Sequence, residues 1–207
     1  MRFAELDAVT LDAFGTLVTL RDPVPPLREA LAKRGVERGP EEIAEAFAAE
    51  SAFYRPRSLE GRDDESLARL RQECTAVFLE ALGAELDPAE FAGAYIRALE
   101  FELLPGVAAA VRSLRRRGLA LAVVANWDCA LPQHLERLGL GDLVVVTSAE
   151  VGAAKPDPAL FQQALLILGV PPERALHVGD GEVDELGAAA ARMRFAPAPL
   201  AAALGQS

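Results

Sequence analysis

Four groups of polar residues stand out because each closes or follows an apolar run: Asp12, Asn126 with Asp128, Lys155, and Asp180 with Asp184 behind it. Their types set the chemistry open to them. A carboxylate can attack covalently or hold a hard divalent cation, and an ammonium neutralises an anion. Of the 21 basic residues 19 are arginine, leaving Lys33 and Lys155 as the lysines. Lysine is a compact point charge where arginine is a planar fork, so Lys155 stands out as a choice of chemistry, although codon bias alone would give the same scarcity. Three of them also have a plain structural alternative. Asp12 would cap the turn at Gly15, Lys155 would be a surface residue before Pro-Asp-Pro, and Asp184 would begin a helix, where a carboxylate suits the dipole.

These residues need elements to hold them. Ala8 to Asp12 (AVTLD) is a short apolar run meeting a turn at Gly15, which predicts a buried strand. From about Leu20 to Glu102 the segments PPLREALAKRG, EEIAEAFAAESAFY, ESLARLRQECTAVFLEALG and PAEFAGAYIRALEFELL space their apolar residues at three and four, which predicts helices and no strand. After Leu104-Pro105-Gly106 the pattern alternates. Helices are expected over Val107–Arg117, LPQHLERLGL, DPALFQQALLILG and ELGAAAARM, and strands over Leu119–Asn126, Leu143–Ala149 and Arg174–Asp180. Such alternation predicts a parallel sheet covered on both faces. The expected fold is a three-layer α/β Rossmann-like sandwich, residues 1–17 with 105–207, carrying an inserted helical cap, residues 18–104. The tail, residues 195–204, reads as a loop and a short terminal helix. All four polar groups then fall beyond the carboxyl ends of strands, where open parallel sheets bind ligands.

Composition narrows the partners. A formal charge of -10 repels a phosphate backbone, so nucleic acid is not expected as a partner. Two cysteines, Cys74 and Cys129, are too few for a disulfide framework and suit a reduced, cytoplasmic setting. The opening MRFAELDAVTLDAFG carries acidic residues in its first apolar stretch, unlike a signal-type core. No run approaches the roughly 20 apolar residues of a membrane span. Oligomeric state leaves no mark on the sequence.

LDAFGTL (Leu11 to Leu17), VVANWD (Val123 to Asp128), VGAAKPDPALF (Val151 to Phe161) and HVGDGEVDELGA (His177 to Ala188) resemble, in order and spacing, the four motifs of the haloacid dehalogenase superfamily. Residues 18–104 resemble the helical cap of its subfamily I. Asn-Trp-Asp in the second motif and LEFELLPGV closing the cap are similar to the haloacid dehalogenase-like hydrolase domain-containing 3 group. The resemblance implies that Asp12 is a covalent nucleophile and that Lys155 and Asn126 are further catalytic residues, with Lys155 neutralising charge beside the nucleophile. It also implies that Mg²⁺ is held by Asp12, the backbone carbonyl of Phe14, Asp180 and Asp184. The implied substrate is a small, anionic, phosphorylated metabolite.

Two departures from the motifs bear on activity. Phosphatases of the family carry a second Asp two residues past the nucleophile as general acid and base, where this chain has Phe14. Their second motif presents Ser or Thr, where this chain has Ala125. Low phosphatase activity is the expected result, with Asn126 a potential substitute for the lost hydroxyl. A 2-haloacid dehalogenase is the next reading, since those enzymes carry an aromatic Tyr at the position of Phe14 but lack the Gly-Asp form kept at Gly179-Asp180. A phosphonate-cleaving branch relies on a cap lysine, and Lys33 fits that role poorly. A ligand-binding protein that has lost turnover is the third reading. Among weaker candidates, His177 reads as core, His134 as exposed and Cys129 as no nucleophile. The arginines of YRPRSLEGR (Tyr54 to Arg62) read either as an anion-binding arm or as solvated loop charge.

Overall fold

The computed structural model describes residues 5–200. Its first strand, β1 (Ala8–Leu11), is wholly buried and leads through a turn into a three-residue strand, β2 (Val18–Leu20). Four α-helices follow, α1 (Val24–Ala32), α2 (Pro40–Tyr54), α3 (Asp64–Ala81) and α4 (Pro88–Ala98), with a 3-10 helix (Arg55–Glu60) between α2 and α3. The chain returns through β3 (Phe101–Leu103) and then alternates: α5 (Val107–Arg116), β4 (Ala120–Ala125), α6 (Leu131–Arg137), β5 (Val144–Thr147), α7 (Ser148–Val151), α8 (Ala159–Leu168), β6 (Ala175–Gly179), α9 (Glu182–Ala190) and β7 (Arg194–Pro197).

Five of these strands form one sheet in the order β5-β4-β1-β6-β7, with every neighbouring pair parallel. This is the Rossmann-like α/β arrangement that the alternation predicts. The chain builds outward from β1 on one side and then crosses to the other, so the order reverses at β1. Ligand sites in such sheets lie at that reversal, beyond the carboxyl ends. Strands covered on both faces read as continuous apolar runs, and β1 (AVTL) and β6 (ALHVG) do so except at Thr10 and His177. Those two polar residues are register partners in the adjacent strands.

Several expectations need correction. The helix from Pro88 ends at Ala98, and Phe101–Leu103 is a strand paired with β2. The apolar spacing of LEFELL fits either state over so short a run, and the Arg21 N–H bond to the Glu100 carbonyl (2.8 Å) favours the extended one. Ser148 and Ala149 begin a short helix rather than ending β5, because the Thr147 hydroxyl accepts from the Glu150 N–H at 3.2 Å and caps it. Residues 195–197 belong to the edge strand β7, where a terminal proline costs no ladder bond. The rest of the expected terminal helix, residues 201–204, lies outside the described residues.

The chain divides into two compact units. One runs to Thr19 and resumes at Glu102, and the other is Leu20–Phe101. The α/β unit buries Val124, Val146, Leu160, Phe161 and Ala188. The helical unit has its own core of Leu27, Leu31, Ile43, Phe78, Phe91 and Tyr95. Its longest helix, α3, starts at a reciprocal cap in which Asp63 accepts from the Ser66 N–H (2.8 Å) and Ser66 Oγ accepts from the Asp63 N–H (3.0 Å). Among the described residues no helix is long and apolar enough to cross a membrane.

Candidate active site

Asp12 is the first residue past β1, and its N–H bonds the Val178 carbonyl of β6 at 2.9 Å. The bond ties the start of the turn to the neighbouring strand and fixes where the carboxylate emerges. Lys155 reaches the same point from the loop after α7, where it is 5% exposed. Its Nζ donates to Asp12 Oδ1 (2.5 Å), Asp184 Oδ1 (2.6 Å) and the Val124 carbonyl (3.0 Å). An ammonium has three hydrogens, so all of them are committed.

The loop bearing Lys155 is held by Asn126, the first residue past β4. The Asn126 Oδ1 accepts from the Lys155 N–H at 2.7 Å, and its Nδ2 donates to the Lys155 carbonyl at 3.2 Å. The amide is therefore spent on the lysine's own backbone and is not free to replace a lost hydroxyl at Ala125. Asp128 is buried, and its Oδ1 accepts from the Ala130 N–H at 2.8 Å, which shapes the turn into α6. Ser148, a residue with no distinguishing sequence signal, is fully buried and fixes the same loop, accepting from the Trp127 N–H (3.0 Å) and donating to the Trp127 carbonyl (3.1 Å).

Asp180 follows β6 and is exposed. Gly15, at φ +83°, makes room for it: a Cβ there would sit 2.0 Å from Asp180 Oδ2. The Asp180 carboxylate thus lies against the turn that carries Phe14. Asp184 folds back over Gly179, where a Cβ would lie 2.4 Å from the Asp184 Cγ. Asp12, Asp180 and Asp184 each place a carboxylate oxygen within 4.8 Å of the others. Such a set of hard oxygens suits Mg²⁺. The fit is uneven, however. Asp184 Oδ1 already accepts from Lys155 and from His177 Nε2 (3.0 Å), and Oδ2 accepts from the Gly181 N–H (3.2 Å). Asp12 and the exposed Asp180 are the freer donors.

His177 is more than core filling. It is fully buried, and its Nδ1 pairs with Thr10 Oγ1 at 2.8 Å. Burial pushes its pKa down to about 4, so the ring is neutral near pH 7. A carboxylate only accepts, so Nε2 carries the hydrogen toward Asp184 and Nδ1 accepts from Thr10. The ring edge also meets Phe161, with centroids 4.9 Å apart. Thr10, His177, Asp184, Lys155 and Asp12 form one continuous buried chain. Burial raises the Asp12 pKa to about 6, more than the Lys155 charge lowers it. Burial would likewise raise Asp184, but the His177 bond and the lysine bring it to about 2. The lysine, which burial alone would lower, is held above its ordinary range by the two carboxylates.

Phe14 is 47% exposed, with its ring 6.5 Å from that of Trp127. Trp127 in turn meets His134 at 6.2 Å, and His134 is half-buried rather than exposed. In the helical unit Arg57 binds Glu60 (3.0 Å) and Glu73 (2.8 Å) and lies over Phe53, so its guanidinium is engaged locally. Lys33 pairs with Glu29 at 2.6 Å. Neither Cys74 nor Cys129 is in a disulfide.

The family model for haloacid dehalogenase-like hydrolases matches residues 6–192. The Bos taurus haloacid dehalogenase-like hydrolase domain-containing protein 3 is 43% identical over 82 residues, 39% of this chain and 33% of that protein, so the match spans a third of that relative's length. A phosphoglycolate phosphatase of Rhodospirillum rubrum is 35% identical over 201 residues, 89% of this chain and 76% of that protein. Among solved structures, the L-2-haloacid dehalogenase of Xanthobacter autotrophicus with chloropropionic acid covalently bound superposes with a TM-score of 0.65 at 26% identity, covering 93% of this chain and 77% of that one.

Proposed function

Since the chain belongs to the haloacid dehalogenase-like hydrolases, we propose that it is a Mg²⁺-dependent phosphatase of a small anionic metabolite, with Asp12 as the covalent nucleophile. The observation carrying this reading is the excess of carboxylate. Asp12, Asp180 and Asp184 converge within 4.8 Å, and among the described residues Lys155 is the cation bonded to two of them. That set retains negative charge which a divalent cation would balance. Asp12 and Asp180 would hold the ion directly, with the Phe14 carbonyl beside them, and Asp184 would lie at the site's edge. When bound, the ion would offset the charge of a phosphoryl group facing these carboxylates. Asp12 would attack phosphorus and form an aspartyl-phosphate. Lys155 would screen the repulsion between that carboxylate and the substrate, with Asn126 fixing the lysine's backbone. The helical unit would serve as the cap that selects the substrate. The hydrocarbon side chains of Phe14 and Ala125 would keep turnover low.

A second reading rests on Phe14, which offers an aromatic face and no proton, and on the likeness to the haloacid dehalogenase. There Asp12 would displace halide from carbon without a metal.

Hydrolysis of an aryl phosphate by the pure protein, with Mg²⁺ and then with EDTA, separates the two. Phosphate release that needs both Mg²⁺ and Asp12, and is lost in Asp12→Asn, is the expected outcome. Halide release from a 2-haloacid in EDTA, with no phosphate release under either condition, would replace the first reading by the second.

A further inference from the structure

Among the described residues bonded to Asp12 or clustered with it, and with Asp180 assigned to the ion, no side chain is left to supply the leaving group's proton. Lys155 Nζ has given its three hydrogens to Asp12, Asp184 and the Val124 carbonyl. Asn126 is occupied by the lysine's backbone. His177 lies wholly inside the unit, bonded at both ring nitrogens, and Asp184 accepts at both oxygens. The exposed side chain closest in sequence to Asp12 is the hydrocarbon ring of Phe14, next to the ring of Trp127. Each polar side chain joined to Asp12, directly or through one partner, is thus already committed.

We infer that the site is built for phosphoryl compounds whose leaving oxygen departs as a weak base, an acyl or aryl phosphate rather than the phosphate of an alcohol. The inference rests on the phosphatase reading above. In the first step the Asp12 oxygen bonds to phosphorus while the P–O bond to the leaving group breaks, and the electron pair departs with the carboxylate or phenolate. In the second step water attacks phosphorus and the bond to Asp12 breaks. One water proton passes to a phosphate oxygen, and Asp12 is released as carboxylate. Neither step asks the protein for a proton. A carboxylate leaves at a conjugate-acid pKa near 4 and a phenolate near 10, whereas an alkoxide, close to the ~15.7 of water, depends on one. The exposed ring of Phe14, backed by the buried ring of Trp127, also suits a planar, apolar leaving group.

The test is kcat/KM for acetyl phosphate, 4-nitrophenyl phosphate, phenyl phosphate and glycerol phosphate, on the full chain with Mg²⁺ and with Asp12→Asn as the control. The acyl and nitrophenyl compounds are expected to exceed glycerol phosphate by about 10² to 10⁴, the usual contribution of a positioned proton donor. Phe14→Asp should narrow that gap by raising glycerol phosphate most. Comparable rates for all four in the native protein, or a gap that Phe14→Asp leaves as wide, would overturn the inference while the phosphatase reading stood. No Asp12-dependent hydrolysis of any of them would overturn both.

Discussion

One ammonium between two buried carboxylates leaves a net negative charge inside the α/β unit, and the partners around it decide where protons reside. His177 is the partner whose effect on stability can be read directly. An unfolded histidine titrates near 6.5, whereas burial takes His177 down to about 4. The folded state therefore binds this proton less readily than the unfolded chain. The contribution of neutral His177 is complete above about pH 6.5 and is lost as the pH falls toward 4. At 1.36 kcal/mol per pKa unit, that contribution is on the order of 3 kcal/mol. Urea unfolding at pH 7 and pH 5 checks it: His177→Gln should lose less stability over that interval than the native chain. Parallel losses would show that another group carries the acid sensitivity. Asp12, Lys155 and Asp180 were legible in the sequence because each ends or follows an apolar run with the spacing of a known set of motifs. His177 was not, because a histidine inside an apolar strand reads as core. The signal lay in its pairing with Thr10, since two polar residues in adjacent buried strands share a reason, and that register exists only once the sheet is built.

Among the elements, α9 reaches the site through its packing. Gly187 lies where a Cβ would come within 2.3 Å of the Phe161 ring of α8 and 3.2 Å of the carbonyl of Pro156, next to Lys155. Phe161 in turn stands edge-on to His177. Gly187→Ala must therefore move a ring that backs the buried chain. Overpacking of this kind costs about 1–3 kcal/mol. A lower thermal midpoint is expected, together with a fall in aryl phosphate turnover. Phe161→Leu in the same protein should recover part of both, less than additively, because the two residues share one contact. Full additivity would mean that the two side chains do not meet. The strong helical periods and buried strands were legible in the sequence. The short elements β2, β3, α7 and β7 were not, since three or four residues carry too little pattern and owe their state to a pairing partner or a cap.

For the whole molecule, the division into an α/β unit and a helical unit means that stability and chemistry can be altered separately. The helical block was legible because each of its segments between about Leu20 and Glu102 spaces apolar residues at three and four, with Gly or Pro as punctuation. Its buried charge was not, because Glu50 occupies an ordinary-looking helical position. Glu50 is 6% exposed on α2. Burial raises its pKa, and the neighbouring Tyr95, Cys74 and Ser51 bring it back only in part. Burial and the Glu50 charge likewise raise the Cys74 thiol, which argues against a reactive thiolate there. A carboxyl whose folded pKa lies above its unfolded value contributes stability that is complete below the unfolded pKa and is lost as pH rises through the folded one. At pH 8 the Glu50 charge is thus a net cost to the fold. Glu50→Gln removes the charge at nearly the same shape, so its melting midpoint should exceed the native one at pH 8 and converge with it near pH 4. The proposed catalytic residues Asp12 and Lys155 belong to the other unit, so aryl phosphate turnover should be unchanged. Equal midpoints at pH 8 would show that the carboxylate is already compensated. A loss of turnover with the midpoint raised would show instead that the two units share an energetic link through α2.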